Sequence, residues 1–410
     1  MWPRLGGACV LLAVLLGGAA AAQEGNSCAV CHSQVAVDFA GSAHARQRMA
    51  CVNCHGGNPL DFTSSAMAHG AGFRGAPARA DIPAFCASCH ADRLQMRQYG
   101  LPTDQYELYV GSQHGLALAK GDTSVAVCTD CHHNHAILPA DDPRASVYPT
   151  NVPQTCGGCH ANEKLMRQHD LPADTLEGYT KSVHGVALLQ GRQLAAPSCA
   201  SCHGSHGAAP PGVTEVGNVC GQCHQDVWAA VQDSPHARPT ATGRMEECVS
   251  CHDHHLTEKA TVALLPSVCS PCHRAGGTSW QQAEDIRQRI VAAEASLTQA
   301  EGAVQVAQAK GAETGELEAE LKEARTALLQ TARAQHTSEP SAVGEYARVV
   351  QDTAAQVMAH LDQLRAAWER RRHGLLAVWV LILCVIGSLY LKRRRVAARR
   401  QAADTHGEGP

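Results

Sequence analysis

The sequence predicts a mostly irregular and α-helical domain built from repeats, followed by an α-helical coiled-coil stalk and one C-terminal transmembrane helix. Three observations predict this fold class. The motif Cys-x-x-Cys-His occurs nine times between residues 28 and 273. Apolar residues then recur at heptad spacing over residues 278–373. An apolar segment without any charged residue follows at 375–391, which is near the lower length limit for a membrane-spanning helix.

The nine motifs contain 18 of the 20 cysteines of the chain. Two thiols at this spacing can form thioethers to the two vinyl groups on one edge of a porphyrin, and the next residue can supply an imidazole to the iron. This is the attachment pattern of c-type haem. A lone CxxC also fits a redox dithiol, half of a zinc site or a disulfide, but none of these needs a histidine after each second cysteine. We therefore predict nine haem c groups as cofactors.

The predicted haem ligands follow directly from the motifs. The residues predicted to form thioethers are Cys28, Cys31, Cys51, Cys54, Cys86, Cys89, Cys128, Cys131, Cys156, Cys159, Cys199, Cys202, Cys220, Cys223, Cys248, Cys251, Cys269 and Cys272. The predicted proximal iron ligands are His32, His55, His90, His132, His160, His203, His224, His252 and His273.

The haem region is an internal repeat. The segment that begins at Cys86 matches the segment that begins at Cys156, and each continues through Ser-x-His-Gly to a second motif. Shorter copies precede and follow them, which gives four two-haem repeats at about 28–85, 86–155, 156–219 and 220–268, with a ninth motif at 269–273. Repeats of this kind stack in a row, each against its neighbours. Aromatic residues make up only 4% of the chain, so the porphyrins must supply much of the apolar mass.

Histidines outside the motifs are candidates for the distal iron ligands. They recur in two positions, the third residue of Ser-x-His and the third residue after a proximal histidine. The candidates are His44, His114, His184 and His236 in the first position, His135, His206 and His255 in the second, His69 in the first repeat, and His254 or His169 for the remaining iron. The alternative for each is an ordinary surface histidine. Those of the second position are too close to their own proximal histidine to cross the same ring, so we expect them to serve a neighbouring motif.

Iron with two histidine ligands has no free position for a substrate and is suited to moving electrons. The segments outside the haem region predict where this happens. Residues 1–22 have the pattern of a signal peptide, which leaves a nonahaem domain at 23–277. Residues 278–373 are the predicted stalk, 374–391 the transmembrane helix and 392–410 a basic tail. The heavier basic flank is C-terminal to the span, which predicts a cytoplasmic tail and a periplasmic haem domain at the bacterial inner membrane.

The stalk is predicted as an antiparallel bundle of three helices. Gly311 and Gly315 separate the first helix from the second, and Pro340 begins the third. Self-association of the chain through this coiled coil and internal packing on the haem region are both open alternatives.

The nine motifs, the Ser-x-His-Gly positions and the CxxCHxxH motifs resemble those of the bacterial multihaem cytochrome c superfamily over about residues 28–273. The two-haem repeats are similar to those of periplasmic electron carriers of anaerobic respiratory bacteria. The membrane anchor is similar in purpose to that of the quinol dehydrogenases serving periplasmic nitrate and nitrite reductases. Those proteins carry the anchor at the N-terminus, and they have fewer haems and no stalk.

The resemblance implies a membrane-anchored periplasmic electron carrier. The donor it implies is an inner-membrane quinol-oxidising or cytochrome complex, and the acceptor a periplasmic or outer-membrane cytochrome or reductase. Nucleic acid is not an expected partner. The alternative function is a multihaem reductase in which one five-coordinate haem acts on a small nitrogen or sulfur oxyanion. We expect electron transfer rather than catalysis, and no catalytic residue is predicted.

Overall fold

The computed structural model of the chain describes residues 26–63, 72–210, 216–245 and 247–404. The predicted signal peptide, Cys9 and His69 lie outside these described residues. The chain divides into two compact bodies. The N-terminal body consists of residues 1–222 and 242–260, and the C-terminal body of residues 223–241 and 261–410. The described residues form helices and connecting segments and contain no strand, so the predicted helical and irregular fold class is confirmed.

The haem region contains only short α-helices. In chain order they are α1 Ser27–Cys31, α2 Ser33–Ala40, α3 Ala43–Arg46, α4 Cys51–His55, α5 Ile82–His90, α6 Arg93–Arg97, α7 Gln105–Gly111, α8 Gln113–Ala119, α9 Cys128–His132, α10 Val152–His160, α11 Glu163–Gln168, α12 Thr175–Lys181, α13 Val183–Gly185, α14 Cys199–His203, α15 Val216–Gly221, α16 Gln225–Gln232, α17 Ala237–Ala241 and α18 Val249–His252. Short 3₁₀ turns occur at Arg79–Asp81, Val262–Leu264 and Ser267–Cys269, and a π turn at Val186–Gln190.

The second CxxCH motif of each repeat ends at a sharp backbone turn. The residue after the proximal histidine has a φ of 69° at Gly56, 64° at His133, 78° at Gly204 and 60° at Asp253. With ψ near ±180°, this conformation is adopted almost only by glycine, and other residues in it carry about 1–3 kcal/mol of strain. The turn ends the helix, so that His135, His206 and His255, three residues after a proximal histidine, lie outside the helix of their own motif.

The two motifs of one repeat lie against each other. The helix α5 packs against α9, and Cys86 lies near Cys128. In the same way α10 packs against α14, and Cys156 lies near Cys199, the corresponding pair 70 residues later in the chain. The first and fourth repeats have the same proximity, between the first cysteines of their two motifs, at residues 28 and 51 and at residues 220 and 248. In these four places the first cysteines of two successive motifs thus lie near each other.

A tyrosine and an arginine stabilise this pairing in the second repeat. The Tyr109 hydroxyl donates a hydrogen bond of 2.9 Å to the carbonyl of Ala126, two residues before the second motif. Arg79, just before the first motif, forms a bidentate ion pair with Asp130 inside the second, at 2.6 and 3.2 Å. Two parallel N–H···O bonds of this kind fix geometry as well as adding energy.

Three long helices follow the haem region, α19 Thr278–Ala309, α20 Gly315–Ala334 and α21 Pro340–Asp404. Their breaks fall where the sequence predicts them, at the glycines after residue 310 and before Pro340. The heptad residues are buried between the three helices, with Ala293, Leu297, Leu317, Val350 and Val357 at 0–4% exposure. Burial of these apolar side chains, at roughly 25 cal/mol per Å² removed from water, stabilises the bundle.

Two apolar residues that continue the heptad spacing along α21, Leu364 and Trp368, are not buried. They are 37% and 61% exposed. The reason is the length of the partner helices, because α19 ends at Ala309 and α20 begins at Gly315. Beyond about Leu361, which still packs on the core of the bundle, α21 extends past the ends of α19 and α20.

The helix α21 continues from the bundle through the apolar segment without a break. It is the one helix of the described residues that is long and apolar enough to cross a membrane by length and composition, and its apolar window is not buried against the rest of the chain. A soluble core helix would bury such a surface.

Candidate haem-binding sites

Each CxxCH motif that is helical presents its three ligating side chains on one face. In α4, α9 and α14 the helix runs from the first cysteine of the motif to the histidine. Residues at positions i, i+3 and i+4 of a helix are neighbours on one surface, so both thiols and the imidazole face the same side. The motif therefore meets one edge and one face of a single planar ring.

Six proximal histidines lie opposite a second histidine among the described residues. Their ring centroids are 5.9–6.2 Å apart. The pairs are His90 with His44, His55 with His135, His160 with His114, His132 with His206, His203 with His255, and His273 with His236.

The separation of these rings fits one metal ion between them. A metal–imidazole bond is about 2.0–2.1 Å long and the ring centroid lies about 1 Å behind the nitrogen, so two axial imidazoles have centroids about 6 Å apart. Direct stacking would bring the centroids closer, as between His254 and His255 at 4.6 Å. The six pairs are thus spaced as axial ligands of six irons.

Every one of the six pairs joins neighbouring members of the repeat series. A Ser-x-His histidine lies opposite the first proximal histidine of the following repeat, as His44 does with His90 and His114 with His160. A histidine after a second motif lies opposite the second proximal histidine of the preceding repeat, as His135 does with His55. The facing histidines therefore come from adjacent repeats, in both directions along the chain.

The serine of Ser-x-His positions the ligating histidine. Ser112 is 1% exposed, and its Oγ accepts a hydrogen bond of 3.0 Å from the backbone N–H of Gly115 while donating one of 2.6 Å to the carbonyl of Tyr109. Ser182 makes the same two bonds in the third repeat. A serine N-cap of this kind contributes about 0.5–2 kcal/mol. It fixes the start of the short helix whose second residue is the ligand.

The glycine after the histidine allows the chain to fold back closely on itself. A Cβ at Gly115 would lie 2.0 Å from the carbonyl oxygen of Tyr109, and one at Gly185 would lie 1.9 Å from that of Tyr179. Because the obstructing atoms belong to the backbone, no side-chain rotation could relieve the clash. The full motif Ser-x-His-Gly is thus a capped turn that only glycine can complete.

A hydrogen bond between backbones connects this turn to the next repeat. The N–H of Gln113 donates to the carbonyl of Ala208 at 3.0 Å, and the N–H of Ala43 donates to that of Ile137 at 2.7 Å. Both acceptors lie two residues after a distal-ligand histidine, His206 and His135. One backbone hydrogen bond therefore links the two kinds of histidine that are candidates for distal ligands.

Hydrogen bonds to the other ring nitrogen orient several imidazoles. The Nδ1 of His55 lies 2.9 Å from the carbonyl of Gly75, and that of His203 lies 3.1 Å from the carbonyl of Ala209. A carbonyl can only accept, so Nδ1 carries the proton and Nε2 is left for the metal, as in most metal-ligating histidines. The Nδ1 of His236 instead lies 3.3 Å from the Oγ of Ser338.

Burial favours the neutral form of several of the paired imidazoles. Desolvation lowers the pKa of His90 and His114 below the ordinary value, and the neighbouring His160 lowers that of His114 further. Burial lowers the pKa of His132, His206 and His236 in the same way. A neutral imidazole has the free lone pair that metal coordination requires.

The remaining histidines of the sequence prediction lie as follows. His184 is in α13, in the capped turn made by Ser182, in the same position as His114 in α8. His169 contacts Ser124 at 3.1 Å and Asp122 at 3.6 Å. His254 is exposed and lies 3.1 Å from Asp253. Neither His169 nor His254 faces a proximal histidine in the described part of the chain.

The other three proximal histidines are His224, His252 and His32. His224 follows α15 and begins α16 as its N-cap, and His252 ends α18. His32 is exposed at the junction of α1 and α2, and no histidine ring in the described residues lies opposite it. His69, the candidate in the first repeat, lies outside the described residues.

These residues fit covalently bound haem. The motif cysteines are free thiols, each helical motif aligns them with its histidine, and six histidine pairs are spaced for axial ligation. The described residues contain no cluster of three or more metal-binding side chains, which a zinc site would need. Haem iron held by two imidazoles supplies a one-electron redox centre.

Sequence reasoning missed several residues that position these ligands. Tyr109 and Tyr179 bond to the carbonyls of Ala126 and Pro197. Their equal offset of 70 residues in the repeat was the signal that could have found them. Ser338 has no such signal, because it is 102 residues from His236 in the chain.

Comparison with known proteins agrees with this cofactor. The family described as "Doubled CXXCH motif" matches residues 193–228, which include the motifs at Cys199 and Cys220. No curated protein and no solved structure matches the chain significantly. The family match and the many cysteines support a multihaem c-type cytochrome.

Proposed function

We propose that this protein is a membrane-anchored nonahaem cytochrome c that carries electrons between the inner-membrane respiratory chain and periplasmic or outer-membrane acceptors. Its haem domain would lie in the periplasm and its basic tail in the cytoplasm. The donor would be a quinol-oxidising or cytochrome complex of the inner membrane, and the acceptor a soluble or outer-membrane cytochrome or reductase.

The observation that carries this proposal is the pairing of histidines across the repeats. Where two imidazoles lie 5.9–6.2 Å apart, both axial positions of the iron between them are filled. No position is left at these irons for a substrate, which supports electron transfer. Because each pair joins two adjacent repeats, the redox centres would follow the order of the repeats along the chain.

Electron paramagnetic resonance and carbon monoxide binding test the proposal. The purified, haem-loaded protein should show low-spin ferric haem at the six paired sites, and these should not bind carbon monoxide when reduced. Replacing His114 with Ala should open the site opposite His160, which lies 6.2 Å from it. One high-spin signal and one carbon monoxide site should then appear.

The matched control is His169→Ala. His169 also lies in the haem region, but its contacts are Ser124 and Asp122. We expect this variant to keep the spectrum of the parent protein. A His114→Ala variant that stays entirely low-spin would refute the ligand pairing.

A multihaem reductase is the second candidate function, and an iron at His32 would carry it. Among the described residues no histidine ring lies opposite His32, and the distal candidate His69 lies outside them. An iron at His32 without a distal ligand would be five-coordinate, and it could bind and reduce a small nitrogen or sulfur oxyanion. A high-spin haem in the parent protein that binds nitrite would support this reductase function over pure electron transfer.

A further inference from the structure

The last haem motif lies at one end of the three-helix bundle. The 3₁₀ turn Ser267–Cys269 packs against α19, and Val262 and Leu265 pack against a cluster that contains Ile286 and Val343. These contacts fix the motif of His273 to the first turns of α19 and α21. The haem site there belongs to the same body as the bundle.

The distal ligand of this site touches the first residues of the third helix. His236 lies opposite His273 with ring centroids 6.2 Å apart, and its Nδ1 lies 3.3 Å from the Oγ of Ser338. Ser338 has a left-handed φ of 61° and precedes the start of α21 at Pro340. An iron between the two histidines would therefore lie close to the start of α21.

The membrane-spanning segment begins far along the same helix. Leu375 lies 35 residues beyond Pro340 in an unbroken helix, which corresponds to about 52 Å at 1.5 Å per residue. At the average tilt of a transmembrane helix, about 20°, the start of α21 lies about 49 Å above the apolar layer of the bilayer. At the largest tilt, about 40°, it still lies about 40 Å above that layer. Electron tunnelling falls exponentially with distance and is too slow across such a gap.

The edge of this motif faces solvent. Ser270, Pro271 and Arg274 of this segment are exposed. A haem attached to the motif would therefore have solvent-exposed residues beside it, where another redox protein could approach it.

We propose that the three-helix bundle is a spacer, which holds the haem of His236 and His273 about 40–50 Å from the bilayer so that this haem exchanges electrons with a water-soluble redox protein and not with a quinol in the membrane. This inference rests on the proposed function. In the exchange, the metal centre of the reduced carrier loses one electron and the ferric iron gains it. No bond is made or broken.

The first test is a direct distance. The full-length, haem-loaded protein is placed in lipid nanodiscs, and electron cryomicroscopy gives the distance from the His273 iron to the nearest bilayer surface. We expect about 40–50 Å. A distance below about 15 Å, half of the apolar thickness of a bilayer, would overturn the proposal.

The second test follows electrons to this haem alone. His236→Ala opens the site, so carbon monoxide binding reports when that iron is reduced. In nanodiscs, a reduced water-soluble ferredoxin should reduce the reporter haem, and a long-chain quinol dissolved in the bilayer should not. Reduction by the quinol as fast as by the ferredoxin overturns the proposal. If the variant does not fold, the distance measurement still decides.

A longer spacer provides the control. Eleven helix-forming residues inserted after Glu369 lengthen α21 by about 16 Å. Because eleven residues make about three turns, the helix on either side of the insertion keeps its rotational orientation. The insertion lies beyond the buried part of the bundle. We expect ferredoxin to reduce the reporter haem at the same rate in the lengthened protein as in the protein without the insertion. A slower reduction in the lengthened protein would overturn the proposal. Failure of the proposed function would look different, since the haems would then accept no electrons from the ferredoxin at all.

Discussion

A single methyl group at Gly115 should open one haem site. The Cβ of an alanine there would lie 2.0 Å from the Tyr109 oxygen and 2.9 Å from both the Tyr109 carbonyl carbon and the Val110 Cα. All three are backbone atoms, so the turn that carries His114 must move. The same movement breaks the hydrogen bond from the Gly115 N–H to the Oγ of Ser112.

The magnitude follows from these two losses. Overpacking of a close contact costs about 1–3 kcal/mol, and loss of an N-cap costs about 1 kcal/mol. We therefore expect Gly115→Ala to lower the free energy of unfolding by about 2–4 kcal/mol. Displacement of His114 from His160 should also produce one high-spin haem that binds carbon monoxide when reduced.

The matched control is Gly111→Ala, four residues earlier. Gly111 is the last residue of α7, and a Cβ there meets nothing within 4 Å. Alanine is favoured over glycine in a helix by about 0.5–1 kcal/mol, so this variant should be as stable as the parent or slightly more stable. Thermal unfolding and electron paramagnetic resonance of the pair decide the matter. If Gly115→Ala stays low-spin and melts with the parent, the capped-turn account is wrong.

Three further predictions concern the ligands, the cofactor count and the bundle. His135→Ala should create one high-spin haem because His135 faces His55. His254→Ala should not, since His254 is exposed beside Asp253. Identical electron paramagnetic resonance spectra of the two variants would contradict the pairing. Mass spectrometry of the denatured mature protein should give nine covalent haems, and a lower number in fully matured protein would refute the count. Leu317 is 1% exposed, so Leu317→Ala should lower the free energy of unfolding by about 2–5 kcal/mol. Leu329 is 68% exposed, so Leu329→Ala should change that free energy by no more than about 0.5 kcal/mol. Equal melting curves of the two variants would refute the packing of the bundle.

One prediction concerns alkaline pH. Burial raises the pKa of Tyr109 to about 12, above its ordinary value of about 10. The folded protein therefore holds this proton more tightly than the unfolded chain, so the stabilisation is fully present below about pH 10 and is lost as the pH rises through the folded pKa. Alkaline unfolding followed by haem absorbance should become less steep in Tyr109→Phe. An unchanged pH profile would show that the hydroxyl does not stabilise the second motif.

The sequence by itself determined the chemistry of the sites and the order of the segments. The spacing of CxxCH defines two thiols and an imidazole on one helical turn, and this requirement is local, so it can be read without a fold. The breaks before Gly315 and at Pro340 are local as well, because glycine and proline act on their own backbone. The long apolar helix could be recognised for the same reason, since length and composition decide it.

Only the tertiary structure decided which histidine lies opposite which. His44 and His90 are 46 residues apart in the chain, and His135 and His55 are 80 residues apart, so no local pattern relates them. Their approach depends on how one repeat packs on the next, which the backbone bond between Gln113 and Ala208 fixes. The sequence could name His135 as a ligand for a neighbouring motif, but it could not say which one.

The last haem motif shows the same limit most clearly. From the sequence, His254 and His169 were the candidates for the remaining iron, whereas in the structure the ring opposite His273 is that of His236. Ser338, far away in the chain, orients that ring from the start of α21. Residues that follow one another along the chain specify a covalent attachment, but a second axial ligand has to arrive from the other side of a flat ring. That position is determined by packing between repeats and between the haem motif and the bundle, and packing is a property of the folded chain.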